Sequence, residues 1–344
     1  MPLISLVVPF YNEIRHLHRC ISSILSQSFD DFEVLMVDDL STDGSFALVE
    51  KLTAGDSRFR LMHSDAKGLF HARNKALSEA HGQYICFLDA DDELLPDYLL
   101  GLYQDSQIEP VDLVIQGYSH VFADHCDDYH VNTPGYYKLL PVDNTDPSRA
   151  DYSLFSAFDL VSMAHIPGKL YLKQLIDQHR LRFSEYVLIC EDMFFFLSYL
   201  RVCRKVYLST KSNYHYISNG NSMTSSYWNF DVEERSYLEM LKIWEQVFSL
   251  YDYPSLRTGY GAFIGSYVHR LIISSLFHPD SVPFKNAHLN KIKRAYLPLY
   301  RTDFVPCTLF TRLLKFTALH SWFFAFAVLY KMAILRYHLQ VNFR

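Results

Sequence analysis

Short apolar runs alternate with stretches of helical period through the first hundred residues. Ile4–Pro9 reads as a buried strand, and Asn12 can cap a following helix whose apolar positions are Leu17, Ile21, Ile24 and Leu25. Phe32–Val37 is a second strand, ending at Asp38-Asp39 and a Ser-Thr-Asp-Gly turn; a helix through Leu48, Val49 and Leu52 follows. Phe59–His63 predicts a third strand, Leu69–Ala80 a helix, Tyr84–Leu88 a fourth strand ending at Asp89, and Val111–Gln116 a fifth. Strands alternating with helices in this way predict an α/β fold, a mostly parallel sheet with helices on both faces.

The polar side chains fall just past the last apolar residue of each strand: Tyr11 and Asn12, Asp38 and Asp39, Asp89 and Asp91. Ligands of open α/β sheets bind beyond the carboxyl ends of the strands, near a switch in strand order, so these residues are expected on one rim. Between Ser119 and Ala164 the pattern loosens, and Pro134-Gly135, Asp146-Pro147 and Ile166-Pro167-Gly168 mark turns. Helical signals return at Leu170–His179 and Asp192–Arg201, with strands at Lys205–Leu208 and Tyr214–Ile217; after Trp228 the pattern is helical almost throughout.

Composition narrows the class. With 49% hydrophobic and 20% charged residues the chain is globular rather than disordered or fibrous, and a net charge of −6 argues against whole-surface nucleic-acid binding. The charge is unevenly spread. From Ser281 to Arg344 there are ten Lys/Arg against one acid, Asp303, a local +9 that leaves −15 on the first 280 residues. Phe304–Arg344 has no acid, and its basic residues (Arg312, Lys315, Lys331, Arg336, Arg344) stand among Leu313, Leu314, Trp322, Phe323 and Phe326. That mixture suits a helical segment lying on an anionic membrane surface, with packing on the body or on a second copy of the chain as the competing reading. No apolar run reaches the length of a membrane span; Phe316–Tyr330 comes nearest and is broken by His320. The opening residues run straight into a strand pattern rather than a signal-peptide pattern. The six cysteines form no CxxC pair and several sit in apolar runs, so buried reduced thiols in a cytosolic setting are expected.

The strongest chemical signal is Phe87-Leu88-Asp89-Ala90-Asp91-Asp92, where carboxylates two residues apart follow an apolar strand and can share a hard divalent cation with substrate oxygens. A solvated acidic turn is the competing reading. Asp38-Asp39 can accept hydrogen bonds from a ribose or a base, or cap its own loop with Ser41 and Asp43. Arg73 can clamp a diphosphate or be an ordinary surface cation. Glu191-Asp192, acids between apolar runs, can act as a general base or complement a helix dipole. No P-loop, HExxH or GxSxG occurs, and Gly259-Tyr260-Gly261 lacks the spacing of a dinucleotide loop.

Taken in order, VVPFYNE (Val7–Glu13), VDDLSTDGS (Val37–Ser45), HARNKAL (His71–Leu77), FLDADD (Phe87–Asp92), GKLYLKQLI (Gly168–Ile176) and CEDMFF (Cys190–Phe195) resemble the family-two inverting glycosyltransferases of the GT-A fold, especially bacterial enzymes of capsule, lipopolysaccharide or exopolysaccharide synthesis. The resemblance covers roughly residues 1–225 and implies a GT-A, Rossmann-like mixed sheet, with a nucleotide-binding half (1–116), an acceptor half (117–225) and a helical C-terminal region (226–344). It implies that Pro9, Tyr11 and Glu13 line the nucleoside pocket, that Asp39 contacts the base, and that Arg73 faces the diphosphate. Asp89 and Ala90 would meet the ribose or a metal-bound water, and Asp91 would hold Mg²⁺ or Mn²⁺. Asp192 would be the catalytic base supported by Glu191, and His215 and Ser222 would lie in a loop over the donor. The implied partners are a UDP-sugar, a glycan or lipid-linked acceptor and the inner face of the cytoplasmic membrane. No processive-synthase signature follows Met223, which favours addition of one sugar. A nucleotidyltransferase and a non-catalytic glycan-binding or scaffold protein are the alternatives; Pro9–Glu13 lacks the glycine and the cation expected of the former.

Overall fold

The structure is a computed structural model. It describes residues 1–122, 126–129, 135–138, 165–217, 228–250, 254–303, 309–320 and several between 322 and 329. The chain divides into two compact units. The first comprises Met1–Glu185, Cys190–Gly220 and Glu245–Tyr251, and the second Tyr186–Ile189, Asn221–Trp244 and Asp252–Arg344.

The first unit is built on β1 (Ile4–Phe10), all seven of whose residues are buried, as a strand covered on both faces requires. It is followed by α1 (Leu17–Leu25), β2 (Phe32–Asp38), α2 (Ser45–Leu52), β3 (Phe59–His63), α3 (Leu69–Glu79), β4 (Tyr84–Phe87), β5 (Glu93–Leu94) and α4 (Tyr98–Ile108). Then come β6 (Leu113–Ile115), β7 (Tyr118–Val121), β8 (Cys126–Tyr129), β9 (Gly135–Lys138), β10 (Lys169–Leu172), α5 (Lys173–Gln178), α6 (Glu191–Leu200), β11 (Lys205–Leu208) and β12 (Tyr214–Ile217). Among the described residues, eight strands form one sheet in the order β3-β2-β1-β4-β10-β6-β11-β9. Its first half, β3-β2-β1-β4, is parallel throughout. β10 then runs antiparallel to both β4 and β6, which makes the sheet mixed. Four of the other described strands form a second sheet in the order β5-β12-β7-β8.

After β3 the chain returns across β1 to β4, so strand order reverses between β1 and β4. The crevice beyond the carboxyl ends of those two strands is where an open α/β sheet takes its ligand. Residues 11–13 and 88–91 lie there.

Two expectations are corrected. Asn12 does not cap α1: it has φ +54°, its side chain accepts the Thr42 N–H (2.9 Å), and the helix starts later, at Leu17. Asn tolerates this left-handed backbone better than most residues do, and the turn uses it to tie two rim loops together. Leu170–Leu172 is strand rather than helix. Its helical periodicity gives way to pairing with β4 and β6 on both sides, which satisfies the backbone of a buried segment as a helix otherwise would.

The second unit is helical: α7 (Phe230–Leu250, of which residues to Trp244 belong here), α8 (Pro254–Phe277), α9 (Lys285–Lys291), α10 (Leu297–Asp303) and α11 (Leu309–Leu319). Tyr237, Tyr267 and Leu271 lie in its core. The buried Glu233 takes two hydrogen bonds from Arg270, at 2.8 and 3.0 Å, which balances a charge that burial alone would penalise. No helix among the described residues is long and apolar enough to cross a membrane. Five cysteines are described; Cys20, Cys86 and Cys203 are buried as expected, whereas Cys126 is exposed.

Candidate active site

The site grows from three strand ends. Past β2, the two adjacent aspartates divide the roles the sequence left open. Asp38 is the loop cap, accepting the Ser41 N–H (3.0 and 3.2 Å) and facing His63 Nδ1 at 3.1 Å. Asp39 turns to the start of α3, where its Oδ1 accepts the Gly68 N–H at 2.6 Å. Lys67 donates to the Asp39 carbonyl (2.8 Å), stands 3.6 Å from its carboxylate, and carries its ammonium over the ring of Tyr11. Gly68 has φ +133° and a Cβ there would meet the Phe70 ring at 2.8 Å, so this approach of loop to carboxylate needs glycine. Tyr11 is 44% exposed, on a rim whose floor is the buried Pro9. Lys67 was missed by the sequence reading; a cation just before the glycine that opens α3 was the available signal.

Past β4, the three acids of the Asp89–Asp92 turn point to three different tasks. Asp92 is buried and structural: Oδ2 accepts the Tyr214 hydroxyl (2.6 Å) and Oδ1 the Ile217 N–H (2.7 Å), so β12 holds the turn. The Asp89 N–H also donates to the Tyr214 oxygen, at 3.3 Å. Burial raises the Asp92 carboxyl well above the usual range. Ala90 is buried beneath the turn, the half-buried Asp91 has its carbonyl bound by Arg19, and Glu13 lies close enough for the Asp91 charge to be felt. Glu13 pairs with His16 at 2.5 Å, and burial nevertheless raises its carboxyl above the usual range.

Asp89 faces Arg73, and Arg73 organises the centre. Its guanidinium is only 2% exposed and is no surface cation. Nη2 donates to Asp89 (3.0 Å), and Nη1 to Asp192 (2.7 Å) and Glu191 (3.4 Å), while the Phe183 ring lies 5.1 Å from its central carbon. One cation thus ties the end of β4 to the first turn of α6, where Glu191 and Asp192 stand after the left-handed Cys190 (φ +59°). Three carboxylates around one guanidinium leave excess negative charge in a poorly hydrated place. Burial, with the neighbouring Asp192 charge, raises Asp89 to about 6 and Glu191 to about 7, against the opposing pull of Arg73. Asp192 has the shortest of the three bonds to Arg73, and its second oxygen accepts the Ile166 N–H at 3.3 Å.

His215 is not brought to this cluster. It alternates with Tyr214 and Tyr216 on β12, so it faces the opposite side of the strand, with Nδ1 2.8 Å from Glu93. Ser222 lies outside the described residues.

For a hard divalent cation the donor set is modest: among the described residues no three potential ligands converge. What the rim offers is the Asp91 carboxylate, whose charge already bears on Asp89 and Asp92. That fits a hard divalent ion of the kind held by only one or two carboxylates, for which Asp91 would be the ligand.

Comparison with known proteins places this architecture. Residues 5–160 match the model of Glycosyl transferase family 2. Over those residues the chain is similar to the family 2 glycosyltransferases. It is 29% identical over 231 residues to the putative glycosyltransferase EpsH of Bacillus subtilis, covering 66% of this chain and 64% of EpsH. It is 30% identical over 224 residues to the uncharacterized glycosyltransferase EpsJ of the same organism, covering 65% of this chain and 63% of EpsJ. The match therefore spans just under two thirds of the length of each relative. Among solved structures, S. aureus TarS 1–349 in complex with UDP-GlcNAc aligns over 97% of this chain and 92% of its own, with a TM-score of 0.67 at 17% identity. The fold is GT-A. The family 2 match includes Asp39, Arg73 and Asp89–Asp92 but ends before Glu191 and Asp192, which reach the cluster through the Arg73 bonds.

Proposed function

We propose that this protein transfers a single sugar from a UDP-sugar to a hydroxyl of a growing glycan, with inversion at the anomeric carbon and Asp192 as general base. The observation that carries the reading is the Arg73 bridge, which gathers a carboxylate from the β4 rim and two from α6 into one charge-balanced cluster beside the switch-point crevice. TarS, which shares the fold, was solved with a UDP-sugar, and that supports the choice of donor.

In this reading the nucleoside lies along Pro9, Tyr11 and Asp39, with Lys67 and Glu13 at the pocket's sides. The acceptor hydroxyl gives its proton to Asp192 as its oxygen attacks the anomeric carbon; the bond from that carbon to the diphosphate oxygen breaks, and the nucleoside diphosphate leaves with the electron pair. Asp192 can do this because Arg73 and the Ile166 N–H each occupy one lone pair of a carboxylate that has others to offer. Arg73 was expected to face the diphosphate. Both its Nη atoms donate to carboxylates, so we assign it to orienting the base and Asp89. Glu191, raised by burial and by Asp192, supplies a proton-rich neighbour that spares the site a third full charge. Asp91 would hold Mg²⁺ or Mn²⁺, which when bound would neutralise the charge developing on the leaving diphosphate.

We further assign the acceptor to a glycan presented at a membrane. The support is the basic C-terminal part together with α11, where Leu313 and Phe316 are 44% and 47% exposed, and Trp322 beyond it is 57% exposed.

The test is a panel of nucleotide sugars with Mn²⁺ or Mg²⁺, reading release of free nucleoside diphosphate in the presence of glycan acceptors. Release from one UDP-sugar, lost with chelator and in Asp91→Ala, is expected. Asp192→Asn should cut transfer about 10³-fold while leaving UDP affinity within about twofold. Transfer that survives Asp192→Asn overturns the base assignment, and absence of both release and UDP binding overturns the function.

A further inference from the structure

Among the described residues, one buried cation outside the proposed mechanism has no carboxylate partner. Lys169 opens β10, is 1% exposed, and has no carboxylate within ion-pair distance among the described residues. Its Nζ donates instead to two carbonyls of the preceding turn, those of Pro167 (3.2 Å) and His165, and the ring of Phe196 on α6 lies 5.1 Å away. A buried ammonium held only by carbonyls is costly, and burial lowers it to about 7 against the opposing pull of the Asp192 charge. Such a cost points to a task.

The turn it grips is tightly specified. Gly168 has φ +74°, and a Cβ there would come within 3.0 Å of the Gln116 carbonyl oxygen. Its N–H donates to the Tyr98 hydroxyl (3.2 Å) and its carbonyl accepts the Gln116 N–H (2.7 Å). Pro167 has no N–H to offer. The Ile166 N–H goes to Oδ2 of Asp192 at 3.3 Å. The carbonyls flanking Ile166 on either side, of His165 and Pro167, are the two that Lys169 holds.

We infer that Lys169 is a positioning residue for the transfer step: its ammonium fixes the 165–168 turn so that the Ile166 N–H orients the Asp192 carboxylate, with Arg73 holding the other oxygen. This rests on Asp192 being the base. Lys169 acts through the turn and touches no substrate, so its removal should impair turnover without weakening donor binding.

The experiment compares the full chain with Lys169→Met, Lys169→Gln and Lys169→Arg, using UDP as the binding probe. Residue-resolved hydrogen exchange should show the Ile166 amide losing protection by about tenfold or more in Lys169→Met, while Tyr171 and Leu172 on β10 keep theirs. With the donor found by the panel, kcat should fall about 30-fold or more with donor KM and UDP affinity within about twofold, and Lys169→Arg should recover most of the loss. If Lys169→Met fails to fold, Lys169→Gln, which keeps N–H donors but no charge, takes its place. Unchanged Ile166 protection, unchanged kcat, or a rise in KM matching the fall in kcat overturns the inference. Asp192→Asn run in parallel separates the two readings. An active Asp192→Asn removes the base assignment itself, whereas an inactive one beside a fully active Lys169→Met removes only the role of Lys169.

Discussion

At the scale of single residues, the centre is governed by one guanidinium facing three carboxylates. The charge imbalance has a consequence for stability. Glu191 binds its proton more tightly folded than unfolded, so its contribution is favourable at low pH and is lost as pH rises through about 7. Glu191→Gln removes a carboxylate that must otherwise ionise in a buried site. The variant should therefore match the parent protein near pH 5 and exceed it above pH 7, by roughly 1–3 kcal/mol. Urea unfolding at both pH values measures this, and an equal difference at the two would show that the shift is absent. Arg73→Met is expected to act oppositely: it leaves three acids without their cation and should cost about 3–5 kcal/mol at pH 7, read in the same denaturation series.

At the scale of elements, β12 contributes more to the site than its four residues suggest. Through the Tyr214 hydroxyl and the Ile217 N–H it holds Asp92, and with it the turn that presents Asp89 and Asp91. Tyr214→Phe leaves a buried carboxylate oxygen without its donor. We expect it to destabilise the protein by about 1–3 kcal/mol and to weaken metal-supported UDP binding several-fold, as calorimetry would show; unchanged binding would mean that the turn holds its shape without β12. Element boundaries were readable where local pattern and pairing agree. Phe59–His63, Lys205–Leu208 and Tyr214–Ile217 are strands over the residues their patterns mark. Leu170–Leu172 was not readable, because its neighbours β4 and β6 are distant in sequence and it is their pairing that makes it a strand.

At the scale of the whole molecule, charge and apolar exposure in the C-terminal part make a prediction that needs no knowledge of the sugar. If the exposed Leu313, Phe316 and Trp322 with the basic residues around them meet lipid, the full chain should co-sediment with vesicles rich in anionic phosphatidylglycerol and not with neutral ones. Binding should weaken as salt rises and fall at least about tenfold in a Phe316→Glu, Trp322→Glu double variant. Equal binding to neutral vesicles, or none to either, would return this face to packing or to contact with a second copy.

What the sequence determined by itself was the order of elements, the rim on which the polar residues fall, and the motifs that resemble the family. These follow from local periodicity and from the fact that residues just past parallel strands share one edge of a sheet. It also marked Arg73, Asp89, Glu191 and Asp192 as separate candidates. Only the tertiary structure decided that they are one cluster, that Asp38 caps a loop while Asp39 faces α3, that Asp92 is structural, and that His215 turns to Glu93. Arg73 and Asp192 lie 119 positions apart in the chain, and their 2.7 Å bond depends on β10 entering the sheet beside β4. No local pattern carries that information, because the energy of a buried charge is set by which other charges the fold brings to it.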